Sequence, residues 1–145
     1  PMHACIDNFI HTYAGVELRL KMHEIMTKQG YEEETGKAKI TSGYNLPAKY
    51  VLHTVGPIIQ WKVTREDENL LASCYKECLK LAADTGVESI AFCCLSTGVF
   101  RFPQQRAAEI ATETVMQFLK KDDRIKKVIF NVFKNEDLEI YSHLL

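Results

Sequence analysis

The sequence predicts a layered α/β domain in which helices cover a central sheet. Three observations lead there. Helical and strand-like periodicities alternate along the chain, one strand candidate at 89–95 is a nearly continuous apolar run, and 145 residues suit a single core. The hydrophobic share of 46% and the charged share of 26% are ordinary for a globular protein. One domain, 1–145, is expected, with no internal repeat, low-complexity segment or linker.

Over 7–29, Ile10, Ala14, Leu18, Met22 and Ile25 recur at three- and four-residue steps, the apolar face of one helix that Gly30 stops. Residues 37–41 alternate, and 50–55 are rich in β-branched and aromatic side chains before Gly56-Pro57, so two strands are expected around Asn45-Leu46-Pro47. Thr64 or Asp67 starts the next helix, whose Leu70, Leu71, Cys74, Cys78, Leu81 and Ala82 keep helical spacing until Gly86. The run 89–95 reads as a strand covered on both faces. A helix over 104–120 buries Ala107, Ala108, Ile110, Ala111, Val115 and Phe118; a strand over 127–133 and a short helix to Leu145 complete the chain. Four strands are few for this class.

The net charge of -1 removes the electrostatic case for nucleic acid, although local phosphate binding stays open. No apolar stretch approaches the roughly 20 residues that span a bilayer, and no signal segment opens the chain, so a cytoplasmic location without membrane contact is expected. Five cysteines, two of them adjacent as Cys93-Cys94 in the apolar run, indicate reduced and mostly buried thiols. Cys74 and Cys78 coincide with an apolar helical stripe and read as core, and no cysteine has a local histidine partner that would make it a nucleophile. His11 and His53 read as structural histidines.

Two segments carry chemistry. Ser96-Thr97-Gly98-Val99-Phe100 lies between a strand and a helix, where small residues let the backbone approach an anion and the helix end favours negative charge; the plain alternative is a tight turn. Phe100 could cover a sugar ring, and Phe102-Pro103 pins the helix start. His3-Ala4-Cys5-Ile6-Asp7-Asn8 sets a histidine and a cysteine two residues apart before a helix. Imidazole and thiolate suit zinc, but zinc takes at least three protein ligands, and a partly buried cysteine beside a surface histidine is the simpler account. Asp7 and Asn8 could cap the helix, or Asp7 could activate a water while Asn8 holds ribose hydroxyls.

Together, Cys5-Ile6-Asp7-Asn8, Ile10-His11, Ala14-Gly15, Ala38-Lys39-Ile40-Thr41, the run 50–57 and the run 96–103 resemble the macrodomain family, in order and across essentially the whole chain. The His-x-Cys pair before Ile-Asp-Asn is most similar to the zinc-containing protein-ADP-ribose hydrolases. This resemblance implies a three-layer α/β/α fold with a mixed central sheet whose first strands, like a further ligand cysteine, lie upstream of the chain. It implies that Ile6, Asp7, Asn8, Ser96, Thr97, Gly98 and Phe100 contact ADP-ribose, that Asp7 is catalytic, and that His3 and Cys5 bind Zn2+. The expected partner is a mono-ADP-ribosylated protein, with a non-catalytic ADP-ribose reader as the alternative. Strands lost upstream would leave apolar sheet edge exposed, so poor solubility or pairing with another chain is expected of these residues alone.

Overall fold

The computed structural model describes residues 5–145; the expectation for His3 lies outside the described residues. The first helix is two helices, α1 (Ile6–Ala14) and α2 (Val16–Gln29). Gly15 divides them at φ 91°, in the left-handed half of conformational space that a side chain resists. A Cβ at this position would also lie 2.7 Å from the Asn45 amide nitrogen. The apolar stripe survives the break, with Ala14 and Leu18 fully buried on either side of it. Gly30 ends α2 in the left-handed conformation and donates its N–H to the Met26 carbonyl.

Strands β1 (Ala38–Ser42) and β2 (Tyr50–Thr54) pair antiparallel, with Lys39 opposite His53 and Ile40 opposite Leu52. Helix α3 (Arg65–Asp84) starts at Thr64. The Thr64 hydroxyl accepts from the Asp67 N–H at 3.2 Å while the Asp67 carboxylate accepts from the Thr64 N–H at 2.9 Å, a reciprocal cap on two otherwise unpaired donors. Its buried residues Leu71, Cys74, Tyr75, Cys78, Leu79, Ala82 and Ala83 form one continuous face.

The remaining elements are β3 (Ser89–Phe92), α4 (Gln104–Leu119), β4 (Lys127–Phe130) and α5 (Asn135–Leu144). β3 and β4 run parallel, Ile90 beside Val128. The core lies where α3, α4 and β3 meet, around Tyr75, Leu79, Phe92, Phe102, Ala111 and Val115, and Tyr75 meets the edge of Phe92 with ring centres 5.0 Å apart. A fork from the Arg106 guanidinium to both Glu68 carboxylate oxygens, at 2.6 and 3.1 Å, ties α4 to α3 at the surface.

The layered α/β architecture is as expected, and its strands differ in detail. Among the described residues the strands make an antiparallel pair and a parallel pair that share no rung, so both orientations occur but in two pieces. β3 is also covered on one face only: Ile90 and Phe92 are buried, whereas Ser89 and Ala91 are exposed. Successive strand side chains point to opposite faces, and only the Ile90/Phe92 face meets the core formed with α3 and α4. The strand stops at Phe92, whose carbonyl accepts from the Asn131 N–H at 2.7 Å, so Cys93, Cys94 and Leu95 belong to the following loop. β4 ends at Phe130, which leaves Phe133 in a loop as well.

Candidate functional site

Because β3 and β4 are parallel neighbours, the segments after them emerge at the same end of the sheet. The longer segment is held by its own backbone: the Phe102 N–H donates to the Ser96 carbonyl and the Arg101 N–H to the Gly98 carbonyl, each at 3.0 Å. Phe102 anchors it in the core. Two non-glycine residues, Ser96 at φ 62° and Arg101 at φ 63°, adopt the left-handed conformation, a cost that persists only where the surroundings enforce it. The enforcement comes from the segment after β2. The Ile59 N–H donates to the Phe100 carbonyl at 2.8 Å, and Gly56 packs so closely that a Cβ there would sit 2.0 Å from the Ser96 hydroxyl oxygen.

Within this frame the amides of Thr97, Gly98, Val99 and Phe100 donate to no acceptor among the described residues. Immediately downstream α4 opens at Gln104 behind Pro103 with no side-chain cap, so its first N–H groups are also available. Consecutive unbonded amides beside the positive end of a helix attract anions without a lysine.

The acidic turn lies nearby. Cys5 is the N-cap residue of α1, and Ile6, Asp7 and Asn8 form its first turn. Burial pushes the Cys93 thiol, just before the amide-lined loop, up, and the Cys5 thiol adds to it. The Asp7 side chain is 52% exposed, and one of its oxygens faces His11 Nε2 at 3.7 Å. Four-residue spacing puts the two side chains on one face of α1. His11 itself is 10% exposed, and its other nitrogen, Nδ1, is sealed from solvent without a partner among the described residues.

Sequence reasoning missed two residues of this neighbourhood. His11 passed for a structural histidine, although its position four residues after Asp7 was a readable signal. Phe133 passed for the end of a strand; it is fully exposed, at the same sheet end as the loop, and offers a flat apolar face. The thiols follow expectation. Burial raises Cys78 to about 12 and Cys94 to about 11, and raises Cys74, so these thiols stay protonated and poor nucleophiles near neutral pH. Among the described residues no group of three or more His, Cys, Asp or Glu is arranged to hold a metal ion, and of the two expected zinc ligands only Cys5 is described.

Known proteins resemble this chain in sequence and in fold. The chain is 59% identical over 145 residues to a protein of Treponema medium named protein-ADP-ribose hydrolase, covering 100% of this chain and 56% of that one. It therefore spans about half the length of such relatives. A solved macrodomain of Oceanobacillus iheyensis with ADP superposes with a TM-score of 0.90 at 39% identity, over 97% of this chain and 74% of the other. A Trypanosoma brucei macrodomain in complex with ADP-ribose superposes with a TM-score of 0.81 at 33% identity, over 97% and 56%. Residues 1–111, which include both the acidic turn and the amide-lined loop, match the pattern of the Macro domain. That match covers more than half of the chain, and this chain belongs to the macro domain family.

Proposed function

We propose that this chain hydrolyses the bond joining ADP-ribose to a protein side chain. The observation that carries the reading is the row of unbonded amides from Thr97 to Phe100 next to the uncapped start of α4, which suits a diphosphate. The names of the relatives and the ADP-ribose bound to a structural neighbour support it. In this reading Ser96, Thr97, Gly98 and Phe100 line the diphosphate and its near ribose, Ile6, Asp7 and Asn8 face the far ribose, and Phe133 stacks on the adenine.

The chemistry assigned to Asp7 is the positioning and deprotonation of a water. The water oxygen forms the new bond to the anomeric carbon of the far ribose as the bond to the side-chain atom breaks. Asp7 takes the water proton, and the departing side chain leaves with the bonding pair and is protonated from solvent. His11, 3.7 Å from the carboxylate, holds its orientation.

The partner in this proposal is a mono-ADP-ribosylated protein. Incubating such a protein with the enzyme and measuring free ADP-ribose tests it: release with turnover is expected, and binding by calorimetry without any release would instead identify a reader. We also assign zinc to His3 and Cys5 on their donor chemistry, imidazole and thiolate, two residues apart in the sequence. When bound, zinc would supply Lewis acidity next to the acidic turn. These two residues supply fewer than the three protein ligands that zinc takes, so the proposal needs a further ligand besides them; elemental analysis of the purified protein is expected to find zinc that is lost on replacing Cys5 by Ser, and a metal-free native protein removes the assignment.

A further inference from the structure

We propose that Asp137 on α5 is a positioning residue for the diphosphate: by holding Gln104, the first residue of α4, it fixes the open helix end beside the amide-lined loop. The inference rests on the reading of Thr97–Phe100 as a diphosphate cradle and adds to it a residue from the last helix of the chain.

Asp137 is 7% exposed and is the one buried carboxylate among the described residues. A carboxylate taken out of water is costly unless it is paired, and an apolar side chain would seal a contact between helices at least as well. The hydrogen-bond partner of Asp137 is a neutral amide: its Oδ1 accepts from Gln104 Nε2 at 2.9 Å. Further compensation comes from α5 itself, because Asp137 lies in its first turn, where unpaired N–H groups favour a negative charge. A carboxylate kept inside on these terms serves direction rather than adhesion.

Gln104 stands where direction matters. It follows Pro103, and the first hydrogen bond of α4 runs from the Ala107 N–H to the Pro103 carbonyl at 2.9 Å. The N–H groups of Gln104, Gln105 and Arg106 are open among the described residues and add to the row of amides from Thr97 to Phe100. Rotating the first turn of α4 would swing these donors away from a shared anion. A hydrogen bond resists such a rotation because it weakens steeply off line, whereas apolar contact has no preferred direction.

The same face of α5 also holds the other end of the segment. Tyr141, four residues after Asp137, is buried, with its ring centre 4.9 Å from that of Phe130 at the end of β4. Phe130 stacks in turn on Phe92, the last residue of β3, at 6.5 Å. Residues 93–103 therefore run between two anchors, a stack of rings before them and the Gln104–Asp137 bond after them, and α5 supplies one partner to each. Between the anchors sit Ser96 and Arg101, whose left-handed backbone persists only while it is enforced. Fixing both ends removes in advance the freedom that the segment would otherwise lose on binding, and this raises affinity.

Replacing both partners by apolar side chains, Gln104→Leu together with Asp137→Leu, separates positioning from stability. The double variant is expected to keep the native melting temperature, because the buried carboxylate is removed together with its partner. Its Kd for ADP is expected to rise about tenfold or more, while that for adenosine, which has no phosphate, stays within about twofold. Gln104→Met, of similar shape but without the donor, should show the same phosphate-selective loss. Asp137→Asn keeps an acceptor oxygen and is expected to bind ADP within about threefold of native. Without ligand, hydrogen exchange at the Arg101 and Phe102 amides, both bonded within the loop, should quicken in the double variant relative to α3 and return to native rates in Asp137→Asn. Native affinity for ADP in the double variant and in Gln104→Met overturns the proposal, as does an equal loss for ADP and adenosine. Tighter binding of ADP by Asp137→Asn would reveal a repelling charge instead and overturns it too. If the native protein binds neither ADP nor ADP-ribose, the diphosphate reading fails, and the exchange rates still decide whether Asp137 holds the loop.

Discussion

Replacing Asp7 by Ala is expected to slow release of ADP-ribose by about 10²- to 10⁴-fold, the usual share of a positioned acid–base group. The Kd for free ADP-ribose should change only a few-fold. The asymmetry follows from the proposed site: a diphosphate would have its own row of amides at Thr97–Phe100, whereas Asp7 projects from a separate helix and keeps about half of its side chain open to a water. Among the described residues Asp7 makes no buried ion pair whose loss would unfold the domain, so the melting temperature should hold. Single-turnover release measured beside calorimetry separates the two quantities. Equal losses of binding and turnover would mean that Asp7 only grips the sugar.

Gly43→Ala should be the most damaging single-methyl change in the β1–β2 hairpin, at about 2–3 kcal/mol of stability. Gly43 donates its N–H to the Lys49 carbonyl and accepts from the Leu46 N–H, and a Cβ there would lie 1.9 Å from the Ala48 carbonyl oxygen. The obstacle is backbone, which cannot rotate away as a side-chain tip can. Gly30→Ala is the informative control: its φ of 77° disfavours a side chain, but nothing lies within 4 Å of the added carbon. A cost of about 1 kcal/mol is expected there. Chemical denaturation of both variants checks the ranking, and a Gly43→Ala protein as stable as Gly30→Ala would show that the turn can open.

Most element positions were legible because burial imposes its own period. The stripe Leu71, Cys74, Cys78 and Ala82 announces α3, and the punctuation at Gly30 and Gly86 marks helix ends. Gly15 escaped notice for the same reason: Ile10, Ala14 and Leu18 stay in phase across it, so the pattern reads as one helix while φ reverses. The lengths of β3 and β4 were not legible, since Cys93, Cys94 and Leu95 are as apolar as the strand before them, and only the ladder partner decides where pairing stops. The amide-lined loop and acidic turn stand out as local motifs. His11 does not, because its meaning lies in what sits above and behind it, Asp7 on its own helix and His53 across the chain.

Among the described residues the two strand pairs share no rung, which also bears on how the protein can vary. A one-residue slip in a ladder turns every side chain in it to the opposite face, and in a continuous sheet such an error spreads from strand to strand. Here a misalignment of β1 on β2 would disturb the histidine pair behind the acidic turn without passing through a ladder to β3 and β4. What joins the two pairs at the loop is the segment after β2, through the Ile59–Phe100 hydrogen bond and the close approach of Gly56 to Ser96, so that segment and not a ladder carries a change in one pair to the other.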